Sequence, residues 1–102
     1  MKEQKNVILW LNPIDNVVVA LRQLTQGEVI SMNNRGISAK EDIPKGHKMA
    51  IQLIEQGEML IKYGEKIGEA IKVISEGEHV HTHNVRDITA EVSERERKRL
   101  GL

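Results

Sequence analysis

With 102 residues the chain has room for one domain with a small core, and too little bulk to enclose a deep substrate cavity. Fifteen basic and fifteen acidic residues cancel, so the basic footprint of a nucleic-acid binder is missing; the absence of cysteine excludes disulfides, thiolate metal sites and cysteine nucleophiles and fits a reducing, cytoplasmic setting. The 39% of apolar residues is almost wholly aliphatic, with no Phe, one Trp10 and one Tyr63, which predicts a thin aliphatic core.

Residues 1–6 are polar and predict a loose N-terminus. Val7-Ile8-Leu9-Trp10-Leu11 reads as a buried strand stopped by Asn12-Pro13, and a run this short behind Lys2 and Lys5 predicts neither a signal sequence nor a membrane span. Asp15-Asn16 then opens a second apolar run, Val17 to Leu21. From there a repeat emerges. Leu24-Thr25-Gln26-Gly27, Ile43-Pro44-Lys45-Gly46, Ile54-Glu55-Gln56-Gly57 and Ile74-Ser75-Glu76-Gly77 each place an aliphatic anchor, two polar residues and a glycine in line. Three of them extend further, with Ala20, Ala50 and Ala70 seven residues before the glycine and Glu28, Glu58 and Glu78 directly after it. The anchor buries a side chain, the polar pair turns the chain, and the glycine supplies a conformation that can require positive φ. Pro44 occupies a position that type I and type II turns favour for proline. The intervening segments are too short and too β-branched for long helices, which predicts turns or 3₁₀ pieces.

Glu28 to Met32 and Gly36 to Lys40 flank the turn cluster Asn33-Asn34-Arg35, a β-hairpin signal. Met59 to Tyr63 is a further strand, ended by Gly64, with Gly68 soon after. Short strands punctuated by glycine at this density predict a compact all-β fold with bent strands and little α content. Glu91 to Arg99 is a mixed-charge run, either a solvated helix or a frayed tail. The predicted organisation is a loose 1–6, one domain over 7–88 and a charged tail over 89–102.

The densest chemistry is His79-Val80-His81-Thr82-His83-Asn84, three of the four histidines at alternate positions. On an extended strand these three imidazoles share one face. Such a row suits a divalent ion or proton movement, and it equally describes the solvent face of an antiparallel strand. Neighbours two apart have Cα atoms roughly 6.6 Å apart and can share an ion, whereas the outer pair at roughly 13 Å cannot unless the strand bends. Two ligands from the row plus others from elsewhere is the predicted metal arrangement.

Gly46-His47-Lys48, Lys62-Tyr63-Gly64, Ile67-Gly68 and Gly77 to Asn84, with Asp15-Asn16-Val17 upstream, resemble the small N-terminal domain of altronate and galactarate dehydratases over roughly Val7 to Asn84. The resemblance implies an SAF-type domain with a β-clip fold. It also implies dehydration of sugar acids assisted by a divalent metal, iron(II) or manganese, and a larger catalytic domain. It points to the split form, in which the small domain is a separate subunit beside a large lyase subunit, as in the alpha subunit of sulfolactate sulfo-lyase, inactive alone and open to homo-oligomer formation. A free-standing module binding metal or a sugar acid, and a purely structural β-clip, are the alternatives.

Dehydrating a 2,3-dihydroxy acid means removing a proton beside a carboxylate, stabilising the enediolate and expelling hydroxide; a divalent ion meets the second need and histidine or lysine the others. His47, Lys62 and His81 are the candidate catalytic groups, and His79, His81 and His83 the candidate metal ligands. Lys48, Lys62, Tyr63 and Asn84 are the candidates for binding the acid. Asp15 and Asn16 are second-rank metal candidates that more simply form a turn, Lys62 has a solvated strand lysine as its duller reading, and Tyr63 a cap on the core.

Overall fold

Four copies of one turn set the backbone in this computed structural model, which describes residues 7–32 and 34–88; the expectations for 1–6 and for 89–102 lie outside the described residues. Between the turns run, among the described residues, nine short strands: β1 (Ile8–Leu9), β2 (Val17–Ala20), β3 (Val29–Met32), β4 (Arg35–Ser38), β5 (Lys48–Ala50), β6 (Met59–Lys62), β7 (Glu65–Ala70), β8 (His79–Val80) and β9 (Val85–Asp87). They form antiparallel sheets ordered β1-β2-β5-β8, β3-β4 and β6-β7-β9, and the described residues contain no helix. The predicted small helical content is therefore absent from them, because the anchor-to-glycine segments close as turns.

The turns work in pairs. Leu24 and Ile43 exchange both backbone hydrogen bonds (2.8 and 2.9 Å), and Ile54 and Ile74 do the same (2.8 Å each). The glycine N–H of each unit donates to an alanine carbonyl of its partner: Gly27 to Ala39, Gly46 to Ala20, Gly57 to Ala70 and Gly77 to Ala50. Ala39, seven residues before Gly46, thus completes the fourth copy of the repeat. All four anchors are essentially buried.

Alternation along the central strands explains why so thin a chain has two cores. Side chains on a strand point to opposite faces. Val18 and Met49 therefore enter one cluster with Leu24, Ile30, Ile37 and Ile43, while Val17 and Ala50 enter the other with Ile54, Leu60, Ile74 and Val80. The β2–β5 pair, in register Val17↔Ala50 and Val19↔Lys48, is the wall between them.

Two predicted strands shrink to two residues each. Val7 to Leu11 is reduced to Ile8–Leu9, because the Asn12 side chain accepts from the Ile14 N–H and the Asp15 N–H donates to the Asn12 carbonyl, turning the chain and leaving Leu11 62% exposed. The histidine row keeps strand geometry only at His79–Val80. Tyr63 does not cap the core: it is exposed, with a left-handed φ of 55° in the Tyr63-Gly64 turn that ends β6.

Candidate functional site

The site begins with an exception in the repeat. In three turns the glutamate after the glycine accepts the N–H of the residue following the anchor: Glu28 from Thr25 (3.0 Å), Glu58 from Glu55 (2.6 Å) and Glu78 from Ser75 (2.6 Å). The fourth turn has Pro44 at that place, which carries no N–H to satisfy. His47 stands where the glutamate would be, and its side chain is released from capping to serve elsewhere.

It meets β8. Lys48 and Met49 of β5 pair with Val80 and His79, which brings the His47 ring against two members of the histidine row. His47 Nδ1 lies 2.8 Å from His79 Nε2, and the His47 and His81 rings stack with centroids 4.2 Å apart. One ligating nitrogen from each of His47, His79 and His81 falls within 4.8 Å of the others, the one group of three such donors among the described residues. His83 stays outside this trio, exposed, its ring tilted 35° against His79 at 5.3 Å. Strand alternation therefore assigns the trio only in part. The chain leaves β8 after Val80, so His81 and His83 are placed by a turn.

Electrostatics favour neutral rings at two of these positions. Burial holds the His79 imidazole below its ordinary pKa, reinforced by His47 and His83 and opposed by Glu41, whose Oε2 accepts the His79 N–H at 3.0 Å. The exposed His81 is also lowered, first by the local desolvation its neighbours impose and then by His47, Lys48 and His83. A neutral imidazole presents the lone pair that metal coordination requires. Three imidazoles without a carboxylate among them form a donor set suited to a first-row transition ion, and a poor one for calcium or magnesium.

Beside the trio lies an open hollow of about 270 Å³ whose lining comes from two sheets: Lys48 and Val80 from one, Lys62, Ile67, Val85 and Asp87 from the other, with His81 and Thr82 between. Its apolar wall is Ile67, Val80 and Val85. Burial and the charge of Lys62 press the Lys48 pKa down, and Asp87 offsets part of this. Two ammonium groups and one carboxylate leave a net positive hollow, matched to an anion. Lys62 Nζ lies 5.0 Å from the centre of the exposed Tyr63 ring, so Tyr63 flanks the lysine and does not line the hollow.

The remaining candidates are occupied inside the fold. Asp15 is buried, its Oδ1 accepting from the Gly64 N–H (2.8 Å) and its Oδ2 from the Asn12 N–H (3.3 Å). Asn16 donates to the Met59 carbonyl (2.9 Å) and accepts from the Ile61 N–H (2.7 Å), clamping β6. Asn84 is fully buried in the turn after β8, both ends of its carboxamide bonded there. Sequence reasoning passed over Asp87 and Glu41. In sequence they stand near the motifs without sharing them, Asp87 three residues beyond Asn84 and Glu41 six before His47.

The chain matches the family described as "Altronate/galactarate dehydratase SAF domain" over residues 5–88. It belongs to that family. The SAF domain is 44% identical over 72 residues to altronate dehydratase of Bacillus subtilis (strain 168) and 42% identical over 76 residues to that of Escherichia coli (strain K12); these matches cover 71% and 74% of this chain. They span only 14% and 15% of the two relatives. It is also 46% identical over 50 residues to (2R)-sulfolactate sulfo-lyase subunit alpha of Paracoccus pantotrophus, covering 49% of this chain and 75% of that subunit. The all-β architecture with its bent, paired turns is the fold expected of an SAF domain, and no described helix is long and apolar enough to cross a membrane.

Proposed function

We propose that this SAF domain is the small component of a two-part sugar-acid dehydratase, supplying a three-imidazole divalent-metal centre and a cationic hollow for the acid, with the rest of the site brought by a large lyase subunit. The observation that carries this reading is the meeting of His47 with His79 and His81 at the rim of a hollow lined by Lys48 and Lys62. Of the ions suggested by resemblance, iron(II) accords better with imidazoles than manganese, which prefers carboxylate oxygen. Bound there, such an ion supplies Lewis-acid stabilisation for the negative charge that develops when a proton leaves the carbon beside a carboxylate.

The chain's own residues have separate tasks. Lys48 and Lys62 receive the carboxylate by charge-assisted hydrogen bonds, while Ile67, Val80 and Val85 displace water from one side of the bound acid. His81 belongs to both trio and hollow, and so fixes the acid's reacting end relative to the metal centre. Lys62 is this chain's candidate for proton transfer to the departing hydroxyl. The opposite face is open, so the remaining base and the exclusion of water fall to the partner.

The similarity to a sulfo-lyase alpha subunit supports a second reading with the same half-site, in which sulfite leaves in place of hydroxide. The test is dehydration of altronate and galactarate and sulfite release from sulfolactate, assayed with the small chain, a large lyase subunit and their mixture. The expected result is turnover by the mixture alone. Full turnover by the small chain would overturn the two-part reading, and turnover by the large subunit at the mixed rate would reduce this chain to an accessory.

A further inference from the structure

We infer that Asn84 is a positioning residue for the histidine trio: it makes no contact with substrate and sets the spacing of the His79 and His81 rings. Its consequence for metal affinity rests on the metal-centre reading above; its consequence for ring geometry does not.

Past Val80 the chain abandons strand geometry, and something must fix where His81 lands. Asn84 does so with both ends of one carboxamide. Its Nδ2 donates to the His79 carbonyl at 2.8 Å and its Oδ1 accepts from the His81 N–H at 3.0 Å. Its own N–H donates to the His81 carbonyl at 3.2 Å, and its carbonyl accepts from the Ile71 N–H at 3.0 Å, tying the turn to the Ala70–Gly77 repeat. Both backbone polar groups of His81 are thus held by this one residue. The His79 peptide is fixed from two sides, by Asn84 at the carbonyl and Glu41 at the N–H. With the backbone held, only side-chain torsions remain to be ordered when the rings converge, which lowers the entropic cost of convergence.

The side chain is 0% exposed, which removes it from the hollow and from any ligand there. Asparagine is the residue the task needs. The bridge requires a donor facing a carbonyl and an acceptor facing an N–H on one short planar group; aspartate would set a carboxylate oxygen against the His79 carbonyl, and serine would not span the two. Leaving either buried backbone group unpaired carries a desolvation cost that the turn can relieve only by opening.

Asn16 provides the control, since it bridges an N–H and a carbonyl of β6 with the same group and near-complete burial, and neither of those partners belongs to the trio. The experiment compares Asn84→Asp, Asn84→Ala and Asn16→Asp with the wild type in the full 102-residue chain. It measures ring-proton nuclear Overhauser effects between His47 and His81 without metal, thermal unfolding, and calorimetric titration with zinc(II). The wild type is expected to show the ring contacts implied by the 4.2 Å stacking. Both Asn84 variants should weaken them and raise the zinc Kd by about 10–100-fold. Asn16→Asp should lower the melting temperature while leaving the ring contacts and zinc affinity in place. Should Asn84→Ala fail to fold, Asn84→Asp retains one of the two side-chain bonds and decides alone. A folded Asn84 variant with wild-type ring contacts overturns the inference, as does an Asn16→Asp variant that loosens the trio equally. If the wild type takes up no zinc, the metal-centre reading falls, and the ring contacts still decide the role of Asn84.

Discussion

The turn at Ile43–His47 and the turn at Ile54–Glu58 share one backbone path and differ in what their last residue does. Each closes with the same reverse hydrogen bond, His47 N–H to the Pro44 carbonyl and Glu58 N–H to the Glu55 carbonyl, both 3.0 Å. In the second, Glu58 is spent on the Glu55 N–H; in the first, Pro44 removes that donor and His47 is free to reach β8. The difference teaches how a repeat can gain a functional group without leaving a turn N–H in want of its cap. The obligation to cap was removed at the same turn where the histidine appears.

The sharpest break in the equivalence of the turns should come at their glycines. Gly57 (φ 90°) and Gly77 (φ 88°) share a left-handed conformation that glycine adopts freely and an L side chain does not, but a Cβ on Gly57 meets nothing while one on Gly77 would collide with the Ser38 carbonyl oxygen. Gly57→Ala should cost about 1–2 kcal/mol, the usual penalty for a left-handed L-residue, and Gly77→Ala clearly more, as read by chemical denaturation. Equal losses would show that conformation alone governs the turns. Next in size is metal uptake: His47→Ala and His81→Ala should each weaken zinc binding by more than roughly 100-fold, beyond the effect of an outer-shell partner, whereas His83→Ala should leave it nearly unchanged. A large loss in His83→Ala would return the site to the linear row.

A smaller contrast concerns stability alone. Glu58→Ala hands the Glu55 N–H to water and should cost about 1 kcal/mol, the net value of one hydrogen bond, while His47→Ala, facing no N–H, should cost less; Pro44→Ala should make the first turn dependent on a cap it lacks. The least effect is that of pH. His79 and His81 have lowered pKa values in the fold, so the unfolded chain protonates first as pH falls through about 6.5. Stability should therefore decline from that point and level off once the folded imidazoles protonate too. Thermal midpoints measured between about pH 8 and about pH 5 should show this decline, and His79→Gln should flatten it.

The turn repeat and the hairpin β3–β4 were legible because glycine, proline and anchor residues act locally. Gly27, Gly46, Gly57 and Gly77 all have φ between 84° and 90°, and β3 ends at Met32 while β4 begins at Arg35, one residue earlier than the expected cluster allowed. The meeting of His47 with β8 was legible only as a possibility, since it depends on β5 pairing with β8 across 32 positions. Alternation misled at His83 because it assumes a strand that continues, and the residue that ends it, Asn84, does so through a side chain that reads equally well as a ligand group. The roles of Asp15 and Asn16 were hidden for a related reason: their partners, Gly64 and β6, lie more than forty residues away.

The closeness of His79, His81 and His83 in sequence bears on how any bound ion would couple to folding. Three alternating imidazoles within five residues make the unfolded chain a chelator in its own right, and an ion that binds both states stabilises only by the difference. What the native state adds is chiefly His47, carried in by the β5–β8 pairing, together with the fixed turn. Zinc should therefore raise the melting temperature far less than its native affinity alone would give, and the shift that remains should vanish in His47→Ala while the unfolded chain goes on binding.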